Sequence, residues 1–186
     1  EGYLDVIMLH QAGFNTAVAT LGTALTQEHL PLLRRGEPKV ILAYDGDKAG
    51  LAAAFKASVM LSQSEFEGGV IIFADGLDPA DMVNNGKINE LNEIFSNPIS
   101  FIPYAIDYII SKYDINEPNQ KQKALTETND YLKTLSLLNQ DEYKRYLAQK
   151  LNVRENLVKI SSSKQRVYEP NLTKIDIAEL CIIKSI

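Results

Sequence analysis

Three short runs of apolar and β-branched residues, separated by helical patterns, constrain the fold of this chain more than any other feature. Continuous apolar runs of this length are typical of buried strands. The runs cover residues 16–20, 40–44 and 70–73. Helical spacing predicts helices over 4–12, 26–33 and 49–61. Strands that alternate with helices need crossover connections, so the sequence predicts an α/β fold with a parallel sheet and helices on its faces.

The second half of the chain has a different pattern, because strand-like runs stop after Phe73. Its apolar residues recur at helical spacing, which predicts a small helical bundle. The predicted helices cover 99–113, 120–138, 141–151 and 152–160. We therefore expect four regions: an α/β domain, a bundle, a serine-rich linker, and a new helical pattern that begins at Leu172. Their bounds are 1–97, 98–160, 161–171 and 172–186.

Composition excludes several classes of protein. Cys181 has no partner for an internal disulfide, and with only His10 and His29 beside it a zinc cage is excluded. A reducing, cytoplasmic location is expected, and no apolar run reaches the roughly 20 residues that span a bilayer. Residues 1–90 carry 12 acidic and 6 basic side chains. This excess suits either a carboxylate cluster that binds a cation or simply a soluble acidic surface.

An acidic turn follows the second predicted strand. In the run Tyr44-Asp45-Gly46-Asp47-Lys48-Ala49-Gly50, residues two apart point to the same side, and Gly46 lets the backbone turn. Asp45 and Asp47 can therefore direct two carboxylates beyond the carboxyl end of the strand, where open α/β sheets bind ligands. Such a pair suits Mg²⁺, which keeps several waters and takes substrate phosphates. Asp47 equally suits a helix cap.

Two further acids are predicted at the same edge of the sheet. Glu1 stands before the first predicted helix, and Asp78 follows the strand that ends at Phe73. Because parallel strands end at one edge, both side chains are expected near Asp45 and Asp47, where a cation would offset their repulsion. The alternative is that each stabilises a helix N-terminus.

These motifs resemble the Toprim segment of bacterial DnaG-type primases. The resemblance covers about residues 1–160 and depends on the order and spacing of four motifs. They are Glu1-Gly2-Tyr3-Leu4-Asp5, Ala19-Thr20-Leu21-Gly22-Thr23-Ala24-Leu25-Thr26, Tyr44-Asp45-Gly46-Asp47-Lys48-Ala49-Gly50 and Asp75-Gly76-Leu77-Asp78-Pro79. The resemblance implies a Toprim-like sheet followed by a helical subdomain, and a tail from Leu172 that begins a helicase-binding domain.

The resemblance also implies a function. Members of this family synthesise short RNA primers on single-stranded DNA from ribonucleoside triphosphates, with Mg²⁺ or Mn²⁺ as cofactor. Expected partners are the DNA template, the nucleotides and a replicative helicase, with no membrane. Zinc belongs to a separate domain that this sequence lacks. The family's first Toprim strand and its basic polymerase subdomain are also expected to be missing, so we expect a fragment with weak or no activity alone.

The resemblance assigns roles to particular residues. Glu1, Asp45 and Asp47 match the catalytic and metal-binding acids, although Glu1 could instead serve as a general acid or base. Asp78 matches the first acid of an Asp-Pro-Asp motif and is a further candidate metal ligand. Ala80 replaces the second acid of that motif, and a helical Asp81 would point about 100° away from the side chain at position 80.

Two alternatives stay open from the sequence. Another Toprim phosphoryl-transfer enzyme, a topoisomerase or nuclease, shares the glutamate and the aspartate pair, but a topoisomerase is expected to carry a third aspartate at position 49, which is alanine. The other alternative is a non-enzymatic module that docks on a replicative helicase.

Without the family's first Toprim strand, the sheet is expected either to rearrange or to be completed by upstream residues.

Overall fold

A computed structural model describes residues 3–20, 24–36, 39–73, 79–160 and the backbone of 181–185. Their contacts divide the chain into two compact units, residues 1–101 with 172–186, and residues 102–171. The proposed linker 161–171 and residues 172–180 lie outside the described part.

The first unit is a five-stranded sheet with helices. Its elements, in chain order, are α1 (Tyr3–Gln11), β1 (Ala17–Ala19), a 3₁₀ helix (Gln27–His29), α2 (Leu30–Leu33), β2 (Lys39–Asp45), α3 (Lys48–Gln63), β3 (Gly68–Phe73), α4 (Pro79–Asn84), α5 (Ile88–Ser96), β4 (Ile99–Ser100) and, at the far end of the chain, β5 (Cys181–Ser185). The predicted α/β fold is confirmed. Pro31 stands in the first turn of α2, and a 3₁₀ turn precedes that helix. This break in the helix is the distortion that a proline causes, because proline has no backbone N–H to donate.

The strands are ordered β1-β5-β2-β3-β4. β2 and β3 are parallel, and β5 is antiparallel to both β1 and β2. β1 therefore runs in the same direction as β2 and β3, which is the predicted parallel part of the sheet. β4 adds a second antiparallel strand at the edge beside β3, so the complete sheet is mixed.

The helix predicted from Leu172 is wrong at Cys181–Ser185, which form β5. This strand lies between β1 and β2, with Cys181 paired to both Ala19 and Ala43. Its β-branched Ile182 and Ile183 suit a strand, and pairing with both neighbours satisfies its backbone N–H and C=O groups.

Helices cover both faces of the sheet. Side chains alternate along β2, and those of Ile41 and Ala43 face the same cluster as helices α1, α4 and α5. α3 contacts β2 and β3 and buries Phe55 completely. Phe95 meets Phe14 and Phe73 edge to face within the cluster. The buried members are Leu9, Ala17, Ile41, Ala43, Ile71, Phe73, Met82, Leu91 and Phe95.

The second unit is helical, as predicted. It contains α6 (Phe101–Ser111, whose first residue belongs to the first unit), α7 (Pro118–Leu132), α8 (Leu137–Leu151) and a 3₁₀ turn (Glu155–Leu157). The expected helix 120–138 is wrong in its last turn, because α7 ends at Leu132 and Leu138 belongs to α8. The last short helix is a single 3₁₀ turn. Asp141, the first residue of the predicted helix 141–151, lies inside α8, whose cap position is Ser136.

Two polar clusters join the helices of this second unit. Asp107 of α6 accepts hydrogen bonds from the Tyr146 hydroxyl and from Lys150 Nζ, at 2.9 and 2.7 Å, respectively. Glu127 of α7 accepts from the Tyr113 hydroxyl at 2.6 Å and from Lys112 Nζ at 2.9 Å. Tyr146 is half-buried and uses its hydroxyl to hold α8 against α6.

The Tyr113 contact predicts an alkaline loss of stability. The hydrogen bond to Glu127, helped by burial, raises the pKa of Tyr113 to about 12. The stability that this hydrogen bond contributes to the folded state is fully present below the ordinary tyrosine pKa of about 10, and it is lost as the pH rises through about 12. Urea unfolding at pH 9 to 12 should therefore show a shallower decline for Tyr113→Phe than for wild type. Tyr3→Phe, at a 70% exposed residue, should decline like wild type, and equal slopes for all three would contradict the assignment.

Candidate metal site at the carboxyl end of the sheet

The central strand β2 brings the first predicted aspartate to the edge of the sheet. Its five middle residues are buried, whereas the terminal residues Lys39 and Asp45 are exposed. Asp45 is paired in register with Phe73, the last residue of β3. Thr20 follows β1, which ends at the same edge of the sheet. The carboxyl ends of three strands thus meet where Asp45 leaves the sheet, which is the usual place of a ligand site in this class of fold.

Asp47 begins α3, and its side chain caps that helix. Its Oδ1 accepts a hydrogen bond from the backbone N–H of Gly50 at 2.6 Å, and its backbone is extended, as at an N-cap. The capping role that the sequence left open for Asp47 is therefore present. A carboxylate has two oxygens, so Asp47 can cap the helix through Oδ1 and still offer Oδ2 to a cation. Both Asp45 and Asp47 are exposed and accessible to a ligand.

The turn between the two aspartates needs glycine. A Cβ built at Gly46 would lie 2.7 Å from the carbonyl oxygen of Phe73 in β3. That is closer than real Cβ contacts, so any side chain would push β2 and β3 apart. The sequence predicted the role of Gly46 correctly, although the obstacle is the neighbouring strand.

A second glycine, Gly50, was given no role by sequence reasoning. It is buried, and a Cβ there would clash with the carbonyl oxygen of Asp45. The first turn of α3 thus packs directly on the backbone of the metal-ligand candidate. The available signal was a glycine at the third position of a helix otherwise rich in alanine, where glycine is unfavourable unless packing requires it.

The other predicted site residues are distributed differently. Glu1 and Asp78 lie outside the described residues, so their distances from Asp45 and Asp47 stay predictions. Asp81 is exposed in the first turn of α4, which includes Ala80. Because Ala80 and Asp81 are both helical, their side chains point about 100° apart. This divergence is the reason for which the sequence predicts that Asp81 is a poor candidate ligand.

The donor set that is present suits a hard cation. Within the described ranges, no cluster of three or more histidine, cysteine, aspartate or glutamate side chains is found. Asp45 and Asp47 remain as a pair of exposed carboxylates, separated in the sequence by Gly46 alone. One or two carboxylates, completed by water and phosphate oxygens, match the preference of Mg²⁺ and do not match a structural zinc site.

Comparison with known proteins assigns this arrangement to a class. The profile of the Toprim domain matches residues 1–72, a range that contains α1, β1, β2, α3 and most of β3. Toprim domains as a class bind divalent metal ions. The fold and the site therefore define a Toprim-domain protein.

More specific similarity extends past that domain. The chain is 54% identical to the DNA primase of Helicobacter pylori over 148 residues, covering 80% of this chain and 26% of that protein. It is 39% identical to the DNA primase of Campylobacter jejuni over 193 residues, covering 98% of this chain and 32% of that protein. The chain thus spans about a quarter to a third of the length of these two relatives.

Solved structures agree with the sequence matches. A DnaG primase catalytic domain bound to single-stranded DNA gives a TM-score of 0.76 at 26% identity, with 84% of this chain and 51% of that chain covered. The RNA polymerase domain of Mycobacterium tuberculosis DnaG, in complex with double-stranded DNA, gives 0.64 at 32% identity, with 82% and 50% covered. The chain belongs to the bacterial DnaG-type primases, which confirms the resemblance seen in its motifs.

Two findings bear on the remaining expectations. The solved structure of the Aquifex aeolicus primase contains a zinc-binding domain that is separate from its RNA polymerase domain. In the ranges that the structure describes here, every helix is too short or too polar to cross a membrane.

Proposed function

We propose that this chain forms the metal-binding part of a primase that synthesises RNA primers on single-stranded DNA. The observation that supports it most directly is the pair of exposed carboxylates, Asp45 and Asp47, at the carboxyl end of β2 in a chain of the DnaG family. The pair supplies hard oxygen donors at an open edge, where the triphosphate of a nucleotide has access.

Four residues are proposed as ligands. Asp45 and Asp47 would hold Mg²⁺, or Mn²⁺ in its place, together with Glu1 and Asp78 if these approach the same edge. When bound, the metal would supply positive charge to offset that of the triphosphate, while the primer 3′-hydroxyl displaces pyrophosphate from the α-phosphorus. Glu1, Asp45 and Asp47 are the proposed catalytic residues, and for Glu1 both roles, metal ligand and general acid or base, are consistent with its position in the motif.

Asp45 and Asp47 have distinct supports in this arrangement. Asp45 is the last residue of β2 and is paired in register with Phe73, so its backbone is held by β3. Asp47 is fixed by its hydrogen bond to Gly50. Such supports hold ligands in a geometry that needs little reorganisation when a nucleotide binds, which is how positioned charges become effective in phosphoryl transfer.

The proposed partners follow from the family. The template is single-stranded DNA, to which a related catalytic domain has been solved bound, and the substrates are ribonucleoside triphosphates. A replicative helicase is the proposed partner of the carboxyl-terminal region from Leu172, outside the paired strand β5, and the cytoplasm is the proposed location. By themselves, the 186 residues should show weak or no priming, because they span a quarter to a third of the related primases.

A chimera tests the proposal. These residues would replace the matching segment of the Helicobacter pylori primase, to which they are 54% identical. On a single-stranded template with ribonucleoside triphosphates, the chimera should produce primers in Mg²⁺ or Mn²⁺ and none after chelation by EDTA. The parent primase is the control. A chimera that unfolds cooperatively like the parent but makes no primer with either metal would refute the proposal.

A further inference from the structure

We propose that Gly50 is the positioning residue of the metal site and that it orients the Asp47 carboxylate. The inference deepens the proposed function and rests on it, because the orientation matters only if Asp47 meets a cation. Two independent contacts carry it. The backbone N–H of Gly50 donates to Asp47 Oδ1 at 2.6 Å, and the α-carbon of Gly50 packs against the backbone of Asp45.

The first contact fixes the rotation of the carboxylate. Asp47 is exposed, and an exposed aspartate without a partner samples several rotamers. The Gly50 N–H is one of the four unpaired donors in the first turn of α3, so its bond to Oδ1 is directed by the helix backbone. With Oδ1 held in this way, Oδ2 is left for the cation, and Asp47 is expected to bind metal through one oxygen.

The second contact fixes the distance between the two aspartates. The Gly50 α-carbon can approach the Asp45 carbonyl only because no Cβ stands between them. A side chain at position 50 would push the first turn of α3 away from the end of β2, and Asp47 would move with the helix. Gly50 thus sets the position of Asp47 relative to Asp45 without contacting the metal.

Mn²⁺ binding to the full 186-residue chain, measured by electron paramagnetic resonance well below the unfolding temperature, tests the inference. Gly50→Ala should weaken Mn²⁺ binding about tenfold or more, the size of effect seen when groups that orient metal ligands are lost. The matched control is Ala53→Gly in the same helix, which should lower the unfolding temperature by about 2–4 °C and leave Mn²⁺ affinity within about twofold. Equal affinity in Gly50→Ala and wild type would overturn the inference.

Two Asp47 variants keep the inference testable if Gly50→Ala fails to fold. Asp47→Asn keeps an acceptor for the Gly50 N–H but loses the charge, so Mn²⁺ binding should fall with little change in unfolding temperature. Asp47→Glu keeps the charge but is too long for the cap. It should lower both the unfolding temperature, by about 2–4 °C, and the Mn²⁺ affinity.

Each outcome has a separate meaning. If Asp47→Glu binds Mn²⁺ like wild type, orientation is unimportant and the inference fails while the proposed function stands. If the wild-type chimera binds no Mn²⁺ and makes no primer, the proposed function fails and the inference fails with it.

Discussion

Replacing both Asp45 and Asp47 by asparagine is expected to lower primer synthesis by the chimeric primase about a thousandfold. The substitution removes two negative charges, and a neutral amide oxygen is a much poorer ligand for Mg²⁺ than a carboxylate. Metal ions contribute several kcal/mol of charge stabilisation to phosphoryl transfer, and each 1.36 kcal/mol corresponds to about a tenfold change in rate. Incorporation of labelled ribonucleotides on a single-stranded template measures the loss.

The fold should be unaffected by this double substitution. Asp45 and Asp47 are both exposed, and an asparagine at position 47 still presents an oxygen to the N–H of Gly50. Thermal unfolding of the variant should therefore match wild type, which separates a loss of chemistry from a loss of structure. Circular dichroism across the unfolding transition is sufficient for this measurement.

Asp81→Asn is the matched control for the aspartate pair. Asp81 is also exposed and lies in the first turn of α4, but its position one residue after Ala80 removed it from the candidate ligands. Its substitution should change primer synthesis by less than about twofold, since a surface charge outside the site contributes little. Wild-type synthesis by the Asp45→Asn/Asp47→Asn enzyme, or an equal loss in Asp81→Asn, would contradict the assignment of the pair.

The part of the site that could be predicted from sequence is the part encoded by local spacing. An apolar strand followed by Asp-Gly-Asp and a helix indicates where the chain leaves the sheet, because the period of a strand and the freedom of glycine are properties of the nearest neighbours. Asp45 and Asp47 lie at the predicted edge for that reason.

Gly50 was missed because its role depends on a contact with the preceding strand. Nothing in the alanine-rich helix alone shows that its third residue packs on the Asp45 carbonyl. The same limit explains β5, whose five residues are paired with strands more than 130 positions earlier in the chain, between β1 and β2. Short apolar segments do not distinguish helix from strand by periodicity, and the available sheet edges decided the outcome.

The helix predicted over 120–138 shows a third kind of limit. Leucines on both sides of the turn between α7 and α8 share a helical period. Periodicity alone therefore predicted one continuous helix where the structure has two. In the structure α7 ends at Leu132 and α8 begins at Leu137, with Ser136 at the cap position. The serine was the available local signal, because serine is a preferred N-cap residue.

Gly68→Ala is expected to destabilise the first unit more than any surface substitution, by about 2–4 kcal/mol. Gly68 begins β3 with φ +135°, a conformation that side chains with a Cβ rarely adopt. Its added Cβ would also clash with the carbonyl oxygen of Val40, the residue paired with it in β2. Strain and clash therefore act together at the start of the β2–β3 ladder, whose other end carries Asp45.

Gly86→Ala separates the two causes. Gly86 also has a positive φ, +71°, but nothing lies within 4 Å of the position of its Cβ. Its substitution should cost about 1–2 kcal/mol from backbone strain alone. The excess for Gly68→Ala in urea unfolding then measures the clash with β2. If the two variants lose equal stability, the close approach of β3 to Val40 is wrong, and with it the register that places Phe73 beside Asp45.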